Sequence, residues 1–235
     1  MRLWLRNITL TLGGALLWLP LAACNSMGSF AFIYSADEIE GWVADAETGK
    51  PLEGVIVVGH WRLKGGFEGG TPIRELQIFE SVTDRSGRYY FPSWGPKFAF
   101  SGYLGGESPG ILLFKQGYKF QRLMNDPYMD ENTSRSQWNK KTVKLEPFTG
   151  TLEQYSQHLF LLNDTLWISG FAIGRHSGDF CGWKSFPKML TAMDELREKL
   201  EPLHLSGRSV ASQLRSVDVQ LRAAGCGTVV DLIGK

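Results

Sequence analysis

Residues 39–58 decide the fold of this chain, and they read IEGWVADAETGKPLEGVIVV. The beginning of this stretch predicts a strand over Glu38–Ala46, in which side chains alternate between the two faces. The following segment, Glu47–Pro51, predicts a turn in which Gly49 adopts a positive φ. The apolar run Val55–Val58 is typical of a central strand that is buried on both faces.

Four further strands are predicted downstream. They cover Glu75–Thr83, Arg88–Phe91, Ile111–Phe114 and Val143–Leu145. A turn that ends at Gly87 separates the first two of them. Short strands with glycine- and proline-rich corners and no helix between them are typical of an antiparallel β-sandwich.

Three of these segments together resemble the carboxypeptidase regulatory-like domain family. They are Ile39–Asp45, Thr48–Val57 and Thr83–Phe91, and Lys115–Tyr118 resembles the hairpin that usually follows in that family. The resemblance covers about residues 38–146. It implies a transthyretin-like (prealbumin-like) β-sandwich, which is usually non-catalytic and occurs beside peptidase domains and in envelope proteins.

Two features depart from the family pattern. Gly59–Gly70 is longer than the usual hairpin loop and contains two glycine pairs. We also find no sequence signature of a peptidase domain, so the regulatory role in the family name has no target among these residues.

The second half of the chain predicts helices. A capping box over Thr151–Gln154 begins the first, a second runs from about Ser185 to Pro202, and a third runs from about Ser209 to Gly225. The first helix has a predicted apolar stripe of Leu152, Tyr155, Leu159 and Leu162.

The predicted fold class is therefore α+β. We expect a leader over residues 1–23, a tether over 24–37, an antiparallel transthyretin-like β-sandwich over 38–148 and a helical extension over 149–235.

The leader has the features of a bacterial export signal. Two arginines near the start precede an uncharged apolar stretch, which ends in Leu21–Cys24. This ending resembles the lipobox of bacterial lipoproteins, and the resemblance implies that Cys24 becomes lipidated and anchors the protein in a membrane. Asn25 then implies sorting to the outer membrane of a Gram-negative cell. A single uncleaved transmembrane anchor in the inner membrane is the alternative, because the uncharged stretch is long enough to span a bilayer.

The cysteine content agrees with export. If Cys24 carries lipid, Cys181 and Cys226 remain as a pair that the oxidising periplasm would favour as a disulfide. This bond would close a hairpin of the second and third helices at its open end. Two separate buried thiols are the alternative. A zinc site is a weaker third reading, since neither cysteine has another ligand at a zinc-binding spacing.

The charge balance argues against a nucleic-acid partner. The chain has 25 Lys and Arg against 24 Asp and Glu, and loss of the two leader arginines leaves 23 against 24. A nucleic-acid binder needs a basic face that neutralises phosphates. The sequence also contains neither a P-loop nor a dinucleotide-binding motif, so we expect no nucleotide cofactor.

One segment is a candidate ligand site. His60, Trp61 and Arg62 combine polar and aromatic groups at a strand end beside the glycine-rich loop. No metal site is predicted, because the acidic residues of loop Asn125–Asn139 lack the order of a calcium loop.

No catalytic residue is predicted. Gly106–Gly110 matches the G-x-S-x-G string of serine hydrolases around Ser108. The residue after that nucleophile must donate a backbone N–H, and Pro109 has none.

The sequence thus favours a non-enzymatic, lipid-anchored envelope protein whose β-sandwich binds a partner protein or a glycan. A second hypothesis is an accessory subunit of an envelope enzyme or of an outer-membrane uptake system. A third is a hydrolase that uses His60 or His176.

Overall fold

The computed structural model describes residues 33–65, 71–99, 102–128, 134–168, 181–201, 217–219, 221–223 and 225–234, with the backbone alone for 71–74 and 163–168. The predicted leader, Cys24 and most of the predicted tether lie outside these residues. His176 and most of the predicted third helix also lie outside them.

Strands come first along the described chain and helices follow, as predicted. The strands are β1 (Ile33–Ala36), β2 (Ile39–Asp45), β3 (Ile56–Gly65), β4 (Thr71–Val82), β5 (Arg88–Phe91), β6 (Trp94–Phe98), β7 (Tyr103–Leu104), β8 (Gly110–Phe114), β9 (Gln121–Leu123) and β10 (Lys141–Leu145). The helices are α1 (Leu152–Ile168), a 3₁₀ turn (Gly182–Ser185), α2 (Pro187–Leu200) and a C-terminal helix (Val229–Ile233). Residues 217–219 and 221–223 are also helical. The end of the predicted tether is therefore strand β1.

The described strands form three sheets, in the orders β10-β2-β5, β4-β3-β8-β9 and β1-β6, with β7 added to β3. All pairs are antiparallel except β2 and β10, in which Lys141–Leu145 runs parallel to Gly41–Asp45. The prediction of a purely antiparallel arrangement is therefore wrong for this pair. Hairpins impose antiparallel pairing, whereas β10 reaches β2 only after a long crossover through the other strands.

β3 extends well beyond the predicted Val55–Val58, into the segment that we expected to be a glycine-rich loop. It pairs with β4 on one side and with β8 on the other. Gly59 is part of this strand, and only a glycine fits there because a Cβ would come within 2.7 Å of the Phe91 ring. The glycine therefore permits close packing of a strand against an aromatic ring, rather than a loop.

The two larger sheets share one hydrophobic cluster, which we call the strand cluster. Its buried members include Ile39, Val43, Tyr89, Phe91, Val143 and Leu145 from the sheet of β2, and Val57, Trp61, Leu63, Ile111, Leu113 and Leu123 from the sheet of β3. Removal of these side chains from water stabilises the contact between the two sheets.

A second cluster, the helix cluster, lies on the opposite side of β3 and β8. It joins Val58, Leu112 and Phe114 of these strands to Tyr155, Leu159, Leu162, Met189, Leu190, Met193, Leu196, Val217 and Leu221 of the helical residues. β3 is thus buried on both faces, as its apolar run predicts. Leu152 does not join the stripe and is 53% exposed, because the buried stripe of α1 starts one turn later.

Side chains cap the N-termini of α1 and α2. At α1, the Thr151 N–H donates to Gln154 Oε1 at 2.8 Å and the Gln154 N–H donates to Thr151 Oγ1 at 3.3 Å, which is the predicted capping box. At α2, the Glu80 carboxylate of β4 accepts the N–H groups of Lys188 and Met189 at 2.9 and 2.7 Å. Since first-turn N–H groups have no acceptor within their helix, Glu80 ties α2 to the sheet.

The turn before β5 depends on Gly87. Its φ is +76°, and an added Cβ would overlap the carbonyl oxygen of Val43. Asp84 Oδ1 accepts the N–H groups of Ser86 and Arg88 at 2.8 and 3.0 Å, which closes the turn.

We predict that Gly87→Val lowers the free energy of unfolding by about 1–3 kcal/mol, because a β-branched residue resists positive φ and collides with β2. Thermal or urea unfolding of the two proteins measures the difference. An unchanged melting temperature would show that this turn does not need its left-handed conformation.

Cys181 and Cys226 form the predicted disulfide, with their Cα atoms 5.6 Å apart. Cys181 directly precedes the 3₁₀ turn. Cys226 follows a helix end in which its own N–H donates to the Leu221 carbonyl and Gly225 has a φ of +71°. The predicted hairpin between the two cysteines includes residues 202–216, which lie outside the described residues.

The Cys181→Ser/Cys226→Ser double variant should unfold at a lower temperature than the oxidised protein. A bond across 45 residues restricts the unfolded chain, which is worth about 4 kcal/mol in the chain-entropy model. Calorimetry measures the loss, and alkylation of the unreduced protein should label neither cysteine. Two alkylatable thiols in the folded, oxidised protein would contradict the pairing.

Candidate functional site

The outer face of β3 has an apolar half and a polar half. In the apolar half, Val58 belongs to the helix cluster and Ile56 packs against it. His60, Arg62 and Lys64 follow at every second position, so they lie on the same face as the two apolar residues. The helix cluster therefore covers only the apolar half of this face.

Neighbouring elements add charged groups to the polar half. Glu75 of β4 is the register partner of Arg62, Arg122 lies on β9, and Glu107 precedes β8. We call His60, Arg62, Lys64, Glu75, Glu107 and Arg122 the charged face. Lys64 forms an ion pair with Glu107, and Glu75 Oε2 lies 3.5 Å from His60 Nδ1.

A small cleft lies within the charged face. Its walls are formed by His60, Arg62, Glu107, Ser108, Gly110, Arg122 and Met124. It offers about 10 Å³ to a water-sized molecule, which is room for about one water. The cleft thus fits a single polar atom or small group, and it does not fit a whole side chain or sugar ring.

His60 is held neutral by its surroundings. The side chain is 4% exposed, and burial lowers its pKa well below the usual 6.5, with Arg62 and Arg122 lowering the pKa further. Its imidazole packs on Gly110, where an added Cβ would overlap Nε2. The histidine therefore contributes a fixed, uncharged ring to the cleft.

The charges of the face compensate one another in part. Burial lowers the pKa of Arg62, and attraction to Glu75 and Glu107 opposes this shift. Partial burial and repulsion from Arg62 lower the pKa of Arg122. Burial would raise the pKa of Glu107, but the hydrogen bond from Lys64, a backbone hydrogen bond and the positive charges of Lys64 and Arg62 together outweigh it, so the pKa is lowered. With His60 neutral, three cations face two carboxylates.

The structure separates Trp61 from the other two residues of the predicted ligand segment. Trp61 is fully buried in the strand cluster, with its ring edge-on to Phe79 and Trp94 at centroid distances of 5.9 and 5.6 Å. Alternation along β3 therefore puts His60 and Arg62 at the cleft and the tryptophan on the opposite side of the sheet.

Ser108 lines the cleft but lacks the surroundings of a hydrolase nucleophile. The residue is 5% exposed, and its carbonyl oxygen accepts a hydrogen bond from Asn125 Nδ2 at 2.7 Å. A strand, β8, follows it, whereas the nucleophile elbow leads into a helix. Pro109 supplies no N–H for an oxyanion, so the G-x-S-x-G string does not form that site.

The described residues contain no group of three or more His, Cys, Asp or Glu side chains placed to hold a metal ion. Within the same part of the chain, no helix combines the length and the apolar character needed to cross a bilayer.

Sequence reasoning missed Glu75, Glu107 and Arg122, since each joins the charged face through tertiary structure. One local signal was present: alternation of His60, Arg62 and Lys64 with Trp61 and Leu63 indicates that β3 continues past Val58. Such a pattern predicts a polar face on that strand, although it does not predict the partners.

The chain matches no protein-family model and no curated protein sequence. Among solved structures, it is similar to 3-chlorocatechol 1,2-dioxygenase from Rhodococcus opacus (16% identity, 48% of this chain, 61% of that chain, TM-score 0.29). It is also similar to a 9R-lipoxygenase from Cyanothece (14% identity, 52% of this chain, 18% of that chain, TM-score 0.27). A third similar structure is the C-terminal domain of the shaft pilin SpaA from Lactobacillus rhamnosus GG (16% identity, 49% of this chain, 99% of that chain, TM-score 0.24). The chain thus spans under two thirds of the dioxygenase and under one fifth of the lipoxygenase. These similarities are too low to support a functional argument.

The charged face makes a testable prediction about His60. We expect its imidazole to stay neutral well below pH 6.5, and we expect Arg122→Gln to raise its pKa because a nearby positive charge is removed. Histidine-ring NMR titration measures both effects. Arg85→Gln is the control, since Arg85 is 94% exposed on the turn before β5.

The sign of the pH effect on stability follows. Because the folded-state pKa lies below that of the unfolded chain, the folded protein loses stability as the pH falls below about 6.5. A His60 titration midpoint near 6.5, or equal shifts in both arginine variants, would contradict the described surroundings of this histidine.

Proposed function

We propose that this chain is a non-enzymatic, lipid-anchored protein of the bacterial cell envelope, with a transthyretin-like β-sandwich whose charged face binds a partner. The lipobox-like Leu21–Cys24 segment supports the anchor. The anchor places the domain on the periplasmic side of the outer membrane.

The strand cluster supports the sandwich. Apolar side chains from β2, β5 and β10 meet those from β3, β8 and β9 in one buried core. Two sheets that share a core through alternating inward side chains are the basis of a sandwich architecture. Gly49 and Gly87, which occupy glycine positions of the carboxypeptidase regulatory-like pattern, both have the positive φ expected of glycine in a turn.

The division of the outer face of β3 is the observation that carries the binding function. The helices complete a hydrophobic core over one half of the face, and the other half retains charged groups around a cleft. The charged half brings a nearly buried histidine together with two arginines at one cleft. A grouping of this kind fits recognition of a ligand better than structural support.

The serine in the described cleft wall is better suited to ligand binding than to acyl transfer. Ser108 is followed by Pro109, whose nitrogen carries no hydrogen to donate to an oxyanion. The disulfide between Cys181 and Cys226 supports export, because such bonds persist in oxidising compartments.

The anchor is tested by Cys24→Ala. We expect this variant to lose incorporation of labelled palmitate and to retain its leader, because acylation of the cysteine precedes cleavage in lipoproteins. Gel mobility and label incorporation in a Gram-negative host measure both effects. Ser26→Ala, two residues away, is the matched control and should be processed normally.

Two results would contradict the anchor. Cleavage of Cys24→Ala after residue 23 with retention on the membrane would exclude a lipid attachment at this position. A native protein that keeps its leader, takes up no label and resists extraction would instead identify a transmembrane anchor.

A further inference from the structure

We propose that the charged face binds the carboxylate of an acidic sugar, such as a uronic acid unit of an anionic glycan. This inference rests on the proposed binding function and specifies the class of ligand. Arg122 supplies the main contact, and Arg62 supports it from within the cleft.

Charge identifies the ligand as an anion. Arg62 is attracted to both Glu75 and Glu107, and Lys64 pairs with Glu107, so these two carboxylates are engaged within the face. Arg122, which is also attracted to Glu107, is the third positive charge of the face beside two carboxylates, and the residue is exposed to solvent. A guanidinium in this position matches the planar geometry of a carboxylate through two parallel N–H···O bonds.

Size restricts the part of the ligand that enters. The cleft has room for about one water-sized group, so one carboxylate oxygen fits in it while the rest of the ligand remains outside. A peptide terminus is a poorer fit, because the described residues of the cleft wall offer little apolar surface to its last side chain. Met124 is the sole large apolar residue in the cleft wall.

An aromatic ring on the same face as Lys64 favours a sugar. Tyr103 of β7 is the register partner of Lys64, and directly opposed residues of an antiparallel pair share one face. Its side chain is 46% exposed. Aromatic rings combine an apolar face with a partial negative charge, which suits the C–H groups of a pyranose ring. The face thus combines a carboxylate contact with a surface for the ring.

The test is calorimetric titration of the full-length acylated protein in detergent with trigalacturonic acid. We expect binding of the acid, at least tenfold weaker binding of its methyl ester, and at least tenfold weaker binding of the acid to Arg122→Gln. Arg122→Lys should bind with intermediate affinity, since it keeps the charge and loses the paired hydrogen bonds. Arg85→Gln should bind as the native protein does, and melting temperatures verify that all variants are folded.

Three results would overturn the inference. Equal affinity for the acid and its ester would show that the carboxylate is not recognised. Unchanged affinity in folded Arg122→Gln would place the site elsewhere, although the chain would remain a glycan-binding protein. Arginine-dependent binding of acetyl-trialanine with a free C-terminus, without binding of the sugar, would identify a peptide ligand. Loss of acylation in Cys24→Ala tests the anchor separately and is independent of these outcomes.

Discussion

The burial of β3 on both faces is the constraint on which the rest of the structure depends. Its inward side chains must fit the strand cluster, so Gly59 leaves space for Phe91 and Trp61 fills the core. Its outward side chains pack against the helices over one half of the face and join the charged face over the other half. The helix cluster covers Val58, and the charged face begins two residues later at His60. One strand therefore sets the core, the helix contact and the candidate site.

The links between the helices and the sheet have a consequence for this site. Glu80 holds the start of α2 on β4, and the disulfide joins Cys181, before that helix, to the C-terminal part of the chain. Burial raises the pKa of Glu80, so the cost of burying its charge is offset only in part by the two backbone N–H donors. Such a fixed boundary between the covered and charged halves favours a rigid charged face, and this rigidity would lower the entropy cost of the proposed ligand binding.

Local patterns allowed much of the fold to be predicted, and tertiary packing explains the rest. Strand Arg88–Phe91 and the turn at Gly87 were predicted correctly, because alternation and positive φ are encoded by adjacent residues. The parallel direction of β10 beside β2 was not predicted, since no short connection joins the two strands. The sequence indicated a site at His60 and Arg62, but Glu107 and Arg122 come from distant elements. Trp61 is included in the predicted site because an aromatic ring next to polar groups beside a glycine-rich loop is suited to ligand binding, whereas strand alternation directs it into the core.

The central claim is that the charged half of this sheet is the face that meets a partner in the envelope. Arginine-specific modification with phenylglyoxal tests it most directly, by comparison of Arg122 with the exposed Arg85 in native envelopes and in purified protein. The account predicts that Arg122 is protected in envelopes and reactive after purification, while Arg85 reacts in both. Equal reactivity of Arg122 in both preparations, or protection of Arg85 instead, would contradict it.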